Sequence, residues 1–190
     1  MRLFVAVDLP SGIKEILGGF AAGLEQVSKD ARFTDIQNLH ITLKFLGETC
    51  ESTVSNVEDT INGVLSGFSP FKVEVLGSGV FPSAQAPRVA WVGAESFGVL
   101  EAIFCKLGNR LESCGFKKDQ RMFSPHVTIA RIRSSKKETQ LLKYIRENEK
   151  NMFGAFEVNR VDLMESRLTS RGAQYACLRT FDLVRTGGHV

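Results

Sequence analysis

A two-lobed fold of mixed helices and strands, its halves related by a pseudo-twofold axis, is what this 190-residue sequence predicts. Three observations carry that expectation. The order helix, strand, helix, strand, strand occurs twice, and in both copies the first strand holds a His-x-Thr frame, His40-Ile41-Thr42 and His126-Val127-Thr128. The shift of 86 residues that carries His40 onto His126 also carries 11–28 onto 97–114, Phe71 onto Glu157 and Val89 onto Tyr175. Two copies are too few for a solenoid, which needs about three repeats. The length suits one domain spanning 1–190, with repeat halves at roughly 10–95 and 96–185.

Each element has a local reason. Residues 1–10 (MRLFVAVDLP) open with an apolar run that meets Asp8 and Pro10 too early for a secretion signal and predict a first strand. Ser11 is placed to cap a helix whose apolar positions Ile13, Ile16, Leu17, Phe20, Leu24 and Val27 keep helical spacing. The first His-x-Thr strand follows at about 38–46, then a helix on Val54, Val57, Ile61, Val64 and Leu65. Strand-like runs at 71–75 and 88–92 flank a Gly- and Pro-containing stretch at 77–87. Leu100, Ile103, Phe104, Leu107 and Leu111 mark a helix that stops at Gly115. The second His-x-Thr strand runs through about 126–132. Ser135 with Glu138 makes a capping box for a helix carrying Leu141, Leu142 and Ile145, and strands around 156–163 and 175–184 close the chain.

Side chains alternate faces along a strand, so His40 and Thr42 share one face while Leu39, Ile41 and Leu43 share the other. His126 and Thr128 stand likewise against Val127 and Ile129. If the repeat brings the two polar faces together, two titratable rings and two hydroxyls converge on one groove, a constellation suited to a phosphate. With only three histidines in the chain, such twinning favours function over two unrelated hydrogen-bonded pairs. The third, His189, lies in a short terminal tail and carries no expectation of a role.

Composition narrows the classes. A net charge of +3 permits an anionic partner without demanding nucleic acid. No apolar run approaches the roughly 20 residues that span a bilayer, so no membrane association is expected. Cys50, Cys105, Cys114 and Cys177 form neither a Cys-x-x-Cys pair nor a zinc spacing, which points to reduced thiols in a cytoplasmic protein. Nothing in the sequence signals an oligomer, and a monomer is expected.

The segments 2–10 (RLFVAVDLP), 38–48 (NLHITLKFLGE), 80–82 (VFP) and 124–131 (SPHVTIAR) together resemble the 2H phosphoesterase superfamily. More narrowly they are similar to the bacterial and archaeal RNA 2′,3′-cyclic phosphodiesterase family, also called 2′-5′ RNA ligases. Residues 172–175 are compatible with that family, and Phe33 departs from it where many relatives carry a tryptophan that bears on the groove wall. The resemblance implies an α+β fold: two pseudo-twofold lobes, each an antiparallel sheet covered by helices on its outer face, with a central groove. It also implies metal-independent hydrolysis of RNA 2′,3′-cyclic phosphate ends, tRNA halves included, to 2′-phosphomonoesters, with no cofactor.

That chemistry needs a base to take a proton from water and an acid to protonate the departing ribose oxygen, and histidine serves both near neutral pH. By the resemblance His40 is the proton donor to the 3′ oxygen and His126 the acceptor. The residues themselves leave that assignment open, because the repeat makes the rings nearly equivalent. Thr42 and Thr128 offer hydroxyls to the non-bridging oxygens. Arg131 matches a phosphate-binding arginine of the family, yet strict alternation puts it on the Val127/Ile129 side, so it reaches the groove only if the strand twists, bulges or ends there. By parity Lys44 shares the His40 face, where it would add positive potential or be a solvated lysine. Phe4 has the parity to wall the groove or stack a base, against the plainer expectation of a core aromatic. The basic run 131–137 suits an RNA backbone or a solvated helix start. The alternatives are a 2′-5′ RNA ligase acting on tRNA halves, a phosphodiesterase for small nucleotides, and a non-catalytic RNA- or nucleotide-binding module.

Overall fold

The computed structural model describes residues 1–28, 30–119, 122–133, 139–169 and 172–185. The capping box at Ser135 and Glu138, most of the basic run and His189 lie outside these residues. The elements are β1 (Arg2–Asp8), α1 (Ser11–Val27), β2 (Ala31–Phe33), β3 (His40–Glu48), α2 (Val54–Leu65), β4 (Phe71–Phe81), β5 (Val89–Glu95), α3 (Val99–Glu112), β6 (His126–Ile132), α4 (Thr139–Glu147), β7 (Met152–Val158), β8 (Arg160–Thr169) and β9 (Gly172–Asp182), with 3-10 turns at Ile36–Asn38 and Glu51–Thr53. Among the described residues the nine strands form one sheet in the order β7-β4-β5-β6-β3-β1-β8-β9, with β2 added beside β6. Every pairing is antiparallel.

The two His-x-Thr strands are central neighbours, meeting where Ile41 stands opposite Val127. These two residues are 86 positions apart, so the pseudo-twofold passes between them. On one side β3 is flanked by β1 and then β8; on the other, β6 is flanked by β5 and then β4. The strand beside each central strand is the one that precedes a helix, β1 before α1 and β5 before α3. The repeat alignment that carried Val89 onto Tyr175 is therefore corrected: β5 is the counterpart of β1, while β9 is an edge strand paired to β8.

Helices cover one face of this sheet. α1 packs on α4 and β7, and α2 packs on α3, which lies on β3. Between helices and sheet sits the core, where Val5, Ile41, Val127 and Ile129 are fully buried. Each such side chain contributes roughly 1.5–3 kcal/mol. The opposite face carries the imidazoles.

Four local expectations change. Ser11 is the first helical residue rather than the cap, which is Pro10. Ile16 is half exposed, and Lys14 is buried in the stripe instead. β4 runs on to Phe81 because Gly77, at φ +69, absorbs a bulge that the sequence presents as a loop signal. The run at 156–163 is two strands divided at Asn159, a break without glycine or proline to mark it.

Candidate active site

Two bulges shape the site. Along β1 and β3, Ala6 pairs with Thr42 but Val5 pairs with Lys44, so Leu43 is the extra residue. Along β5 and β6, Trp91 pairs with Thr128 but Ala90 pairs with Ala130, so Ile129 is the extra residue. Leu43 and Ile129 are repeat mates. An inserted residue reverses the facing of everything beyond it. Lys44 therefore turns to the helix side with Val5, as Ala130 does with Ala90. Phe45 and Arg131, the next residues, turn onto the imidazole face.

This settles where two of the sequence-derived residues stand. Lys44 is removed from the groove: its side chain is 1% exposed, and its ammonium donates to Asp119 Oδ2 at 2.6 Å and to the Lys117 carbonyl at 2.8 Å. It anchors the segment after α3 rather than adding positive potential to the imidazoles. Arg131, exposed, lies on the face of His126 and Thr128 through the bulge that strict alternation omits. Phe33 pairs with Ala130 and packs against the core, so it does not wall the groove.

With Ile41 opposite Val127, the ladder sets Thr128 across from His40 and Thr42 across from His126. The histidines occupy one diagonal and the threonines the other, with diagonal Cα separations of about 7–8 Å in a regular ladder. Each imidazole is locked in the same way. His40 Nδ1 lies 2.7 Å from the Asn38 carbonyl, and His126 Nδ1 lies 2.7 Å from the Ser124 carbonyl, in each case two residues upstream. A carbonyl only accepts, so Nδ1 carries the proton and Nε2 is left as the nitrogen that exchanges protons. His40 Nε2 lies 3.0 Å from the Thr42 hydroxyl.

Burial is the main influence on both rings and holds each below the ordinary histidine value, because it disfavours the imidazolium. The upstream carbonyls oppose this. Asp8 also raises His40, whereas Arg131 depresses His126 further. An anion bound between the rings would raise both.

Aromatic side chains fix the ring planes. Phe4 is 3% exposed, with its ring 5.0 Å from His40 and 5.0 Å from Tyr175. Tyr175 meets His40 edge-on at 5.2 Å. Phe4 is thus both a buried aromatic and a wall of the imidazole pocket. Around His126 the same work falls to Phe81, edge-on at 5.0 Å, and Trp91, which stacks on Phe81. Phe45, 65% exposed and 6.1 Å from Phe4, is an open aromatic surface on this face. Tyr175, Phe81, Trp91, Phe45 and Asn38 were missed as site residues by sequence reasoning. The strand parity of Trp91 relative to a histidine in another strand becomes visible only once register is known. Arg32, opposite Arg131 in the ladder, places a second guanidinium-bearing residue on the same face.

All four cysteines carry free thiols. Among the described residues no three His, Cys, Asp or Glu side chains cluster as a metal set, and no helix is long and apolar enough to cross a membrane.

The chain is similar to known proteins. The family model described as 2′-5′ RNA ligase superfamily matches residues 14–169. A protein of Archaeoglobus fulgidus named RNA 2′,3′-cyclic phosphodiesterase is 35% identical over 96% of this chain and all of its own length. One of the same name from Methanocaldococcus jannaschii is 35% identical over 94% of this chain and 99% of its own. Among solved structures, TT0787 of Thermus thermophilus superposes with a TM-score of 0.79 at 26% identity, covering 96% of this chain and 98% of that one. Escherichia coli LigT in complex with phosphate superposes with a TM-score of 0.74 at 22% identity, over 97% of this chain and 98% of its own, a likeness of fold. With the family match spanning most of its length and relatives this similar from end to end, the chain belongs to the 2′-5′ RNA ligase superfamily.

Proposed function

We propose that this protein is a hydrolase that opens RNA 2′,3′-cyclic phosphodiester ends to 2′-phosphomonoesters, with His40 and His126 as its acid and base and without a metal. The observation that carries the reading is the pair of imidazoles on one sheet face, each presenting Nε2 while a backbone carbonyl holds Nδ1. The names of the archaeal relatives support the substrate class.

In this scheme the cyclic phosphate sits on the diagonal between the rings. His126 Nε2 takes a proton as the water oxygen bonds to phosphorus. The bond from phosphorus to O3′ breaks, and His40 Nε2 delivers a proton to O3′. The products are a 2′-phosphate and a free 3′-hydroxyl, and exchange with solvent restores both rings. Thr42, Thr128 and Arg131 donate to the non-bridging oxygens, whose charge grows in the transition state. Phe45 gives the terminal base a surface on which to stack. A 5′-hydroxyl in place of water makes the same geometry a ligase, the reaction for which the matched family model is described.

The test incubates an oligoribonucleotide ending in a 2′,3′-cyclic phosphate with the protein and a chelator, with and without a 5′-hydroxyl acceptor. The expected product in both arms is the 2′-phosphate. Absence of hydrolysis with ligation intact would convert the assignment to ligase. Activity lost with the chelator would overturn the two-histidine scheme.

A further inference from the structure

A buried ion pair is among the features that distinguish the two imidazoles. Lys14 extends from α1 to the end of β1 with its side chain only 10% exposed, its ammonium 2.8 Å from Asp8 Oδ1 and 2.9 Å from the Gln37 carbonyl. Asp8 stands directly opposite His40 in the ladder, and both line a cavity of about 30 Å³ with Gln37, Asn38, Asp162 and Tyr175. Gln37 and Asn38 belong to the 3-10 turn whose last carbonyl locks His40 Nδ1. One buried ammonium thus clamps both a carboxylate beside His40 and the turn that orients it. Among the described residues the other half has no such device. Opposite His126 the ladder holds Gly93, and the repeat mate of Lys14 is Leu100, fully buried.

We propose that the Asp8–Lys14 pair is a positioning and polarising dyad that distinguishes the two histidines, favouring the imidazolium at His40 and so fixing it as the proton donor. This rests on the two-histidine reading above. The carboxylate is the member of the dyad opposite His40, and its influence on the ring exceeds that of the ammonium. The other groups facing His40 do not reverse this. On β8, Asp162 accepts from the Thr180 hydroxyl at 2.7 Å. Tyr175 on β9 presents a ring edge, and His126 on β6 opposes a second positive charge. At His126 the charged neighbour is Arg131, which favours the neutral ring that a base requires.

The dyad makes a prediction of opposite signs that simple structural support does not. Asp8→Asn leaves the ammonium uncompensated and should lower the His40 midpoint by about 0.5–1 pH unit. Lys14→Gln leaves the carboxylate alone and should raise it by a similar amount, while Lys14→Arg restores the parent value. The readout is histidine titration by long-range proton–nitrogen NMR on the full chain, assigned with His40→Ala and His126→Ala. The alkaline limb of the pH–rate profile is followed in parallel. The His126 midpoint should stay fixed throughout. Movement of His40 in the same direction in both variants, no movement in either, or equal movement of both rings would overturn the proposal. Because the titration is read without substrate, it fails or succeeds independently of which phosphodiester the protein hydrolyses.

Discussion

The two cations nearest the motifs, Lys44 and Arg131, should behave oppositely on substitution, although alternation along the sequence assigns them the reverse roles. Arg131, turned onto the imidazole face by the Ile129 bulge, is the proposed charge-assisted donor to phosphate. Such a bond is worth about 1.5–3 kcal/mol. Since about 1.4 kcal/mol is tenfold, Arg131→Ala should lower kcat/KM by about 10- to 150-fold. Thermal stability should barely change, because the side chain is exposed. Lys44→Met keeps most of the buried volume but forfeits the bonds to Asp119 and the Lys117 carbonyl. The carboxylate left behind is 39% exposed and regains water, so the cost is about 1–3 kcal/mol rather than the larger penalty of a sealed pair. At this chain length that lowers Tm by about 2–4 °C per kcal/mol. Turnover by Lys44→Met should stay within about threefold of the parent. The assay pairs initial rates on a cyclic-phosphate oligonucleotide with thermal melts of both variants. Loss of catalysis without loss of stability in Lys44→Met, or unchanged kcat/KM in Arg131→Ala, would refute the bulge-based assignment.

Other outcomes follow from the same geometry. Alanine at His40 or at His126 should abolish turnover while leaving the far-ultraviolet circular dichroism unchanged. The kcat/KM profile should be a bell: activity is lost at low pH as His126 gains a proton and at high pH as His40 loses one. Because burial holds both rings of the free protein below the ordinary value, that bell should lie to the acid side. The bound anion stabilises both imidazolium forms, so the kcat profile should shift to higher pH than kcat/KM, and coincident profiles would count against an anion between the rings. Gly79→Ala places a methyl where the Trp91 indole lies. It should displace the Phe81–Trp91 stack, cost about 1–3 kcal/mol and alter the emission of the single tryptophan, and it should slow catalysis through His126.

Period-two alternation made the His–Thr faces legible, because β3 and β6 are regular up to Thr42 and Thr128. It failed beyond them. An extra residue in each ladder reversed the facing of Lys44, Phe45, Ala130 and Arg131, and no glycine or proline marks either bulge. A trace was nonetheless present: buried apolar positions step by two to Leu43 and then by three to Leu46, while Ile129 is followed at once by the buried Ala130 and then by Ile132. Two consecutive buried positions, 43–44 and 129–130, thus break the alternation at the repeat interval. The order of repeated elements revealed the pseudo-twofold, but the partner of β5 depended on sheet pairing, which hydrophobic pattern does not encode. Lys14 was hidden for a different reason. A lysine on a helix is ordinarily solvated, and its burial here follows from Asp8 and the Gln37 carbonyl, contacts that exist only once α1 docks on the sheet. Ile16 is displaced to the surface by that same docking.

The claim beneath all of this is that two imidazoles serve one phosphorus atom. A crystal structure of the protein with inorganic phosphate or vanadate tests it most directly. Both Nε2 atoms are expected within about 3 Å of oxygens on a single anion, with Thr42 and Thr128 hydroxyls on its remaining oxygens. An anion held by only one ring, or by neither, would contradict it.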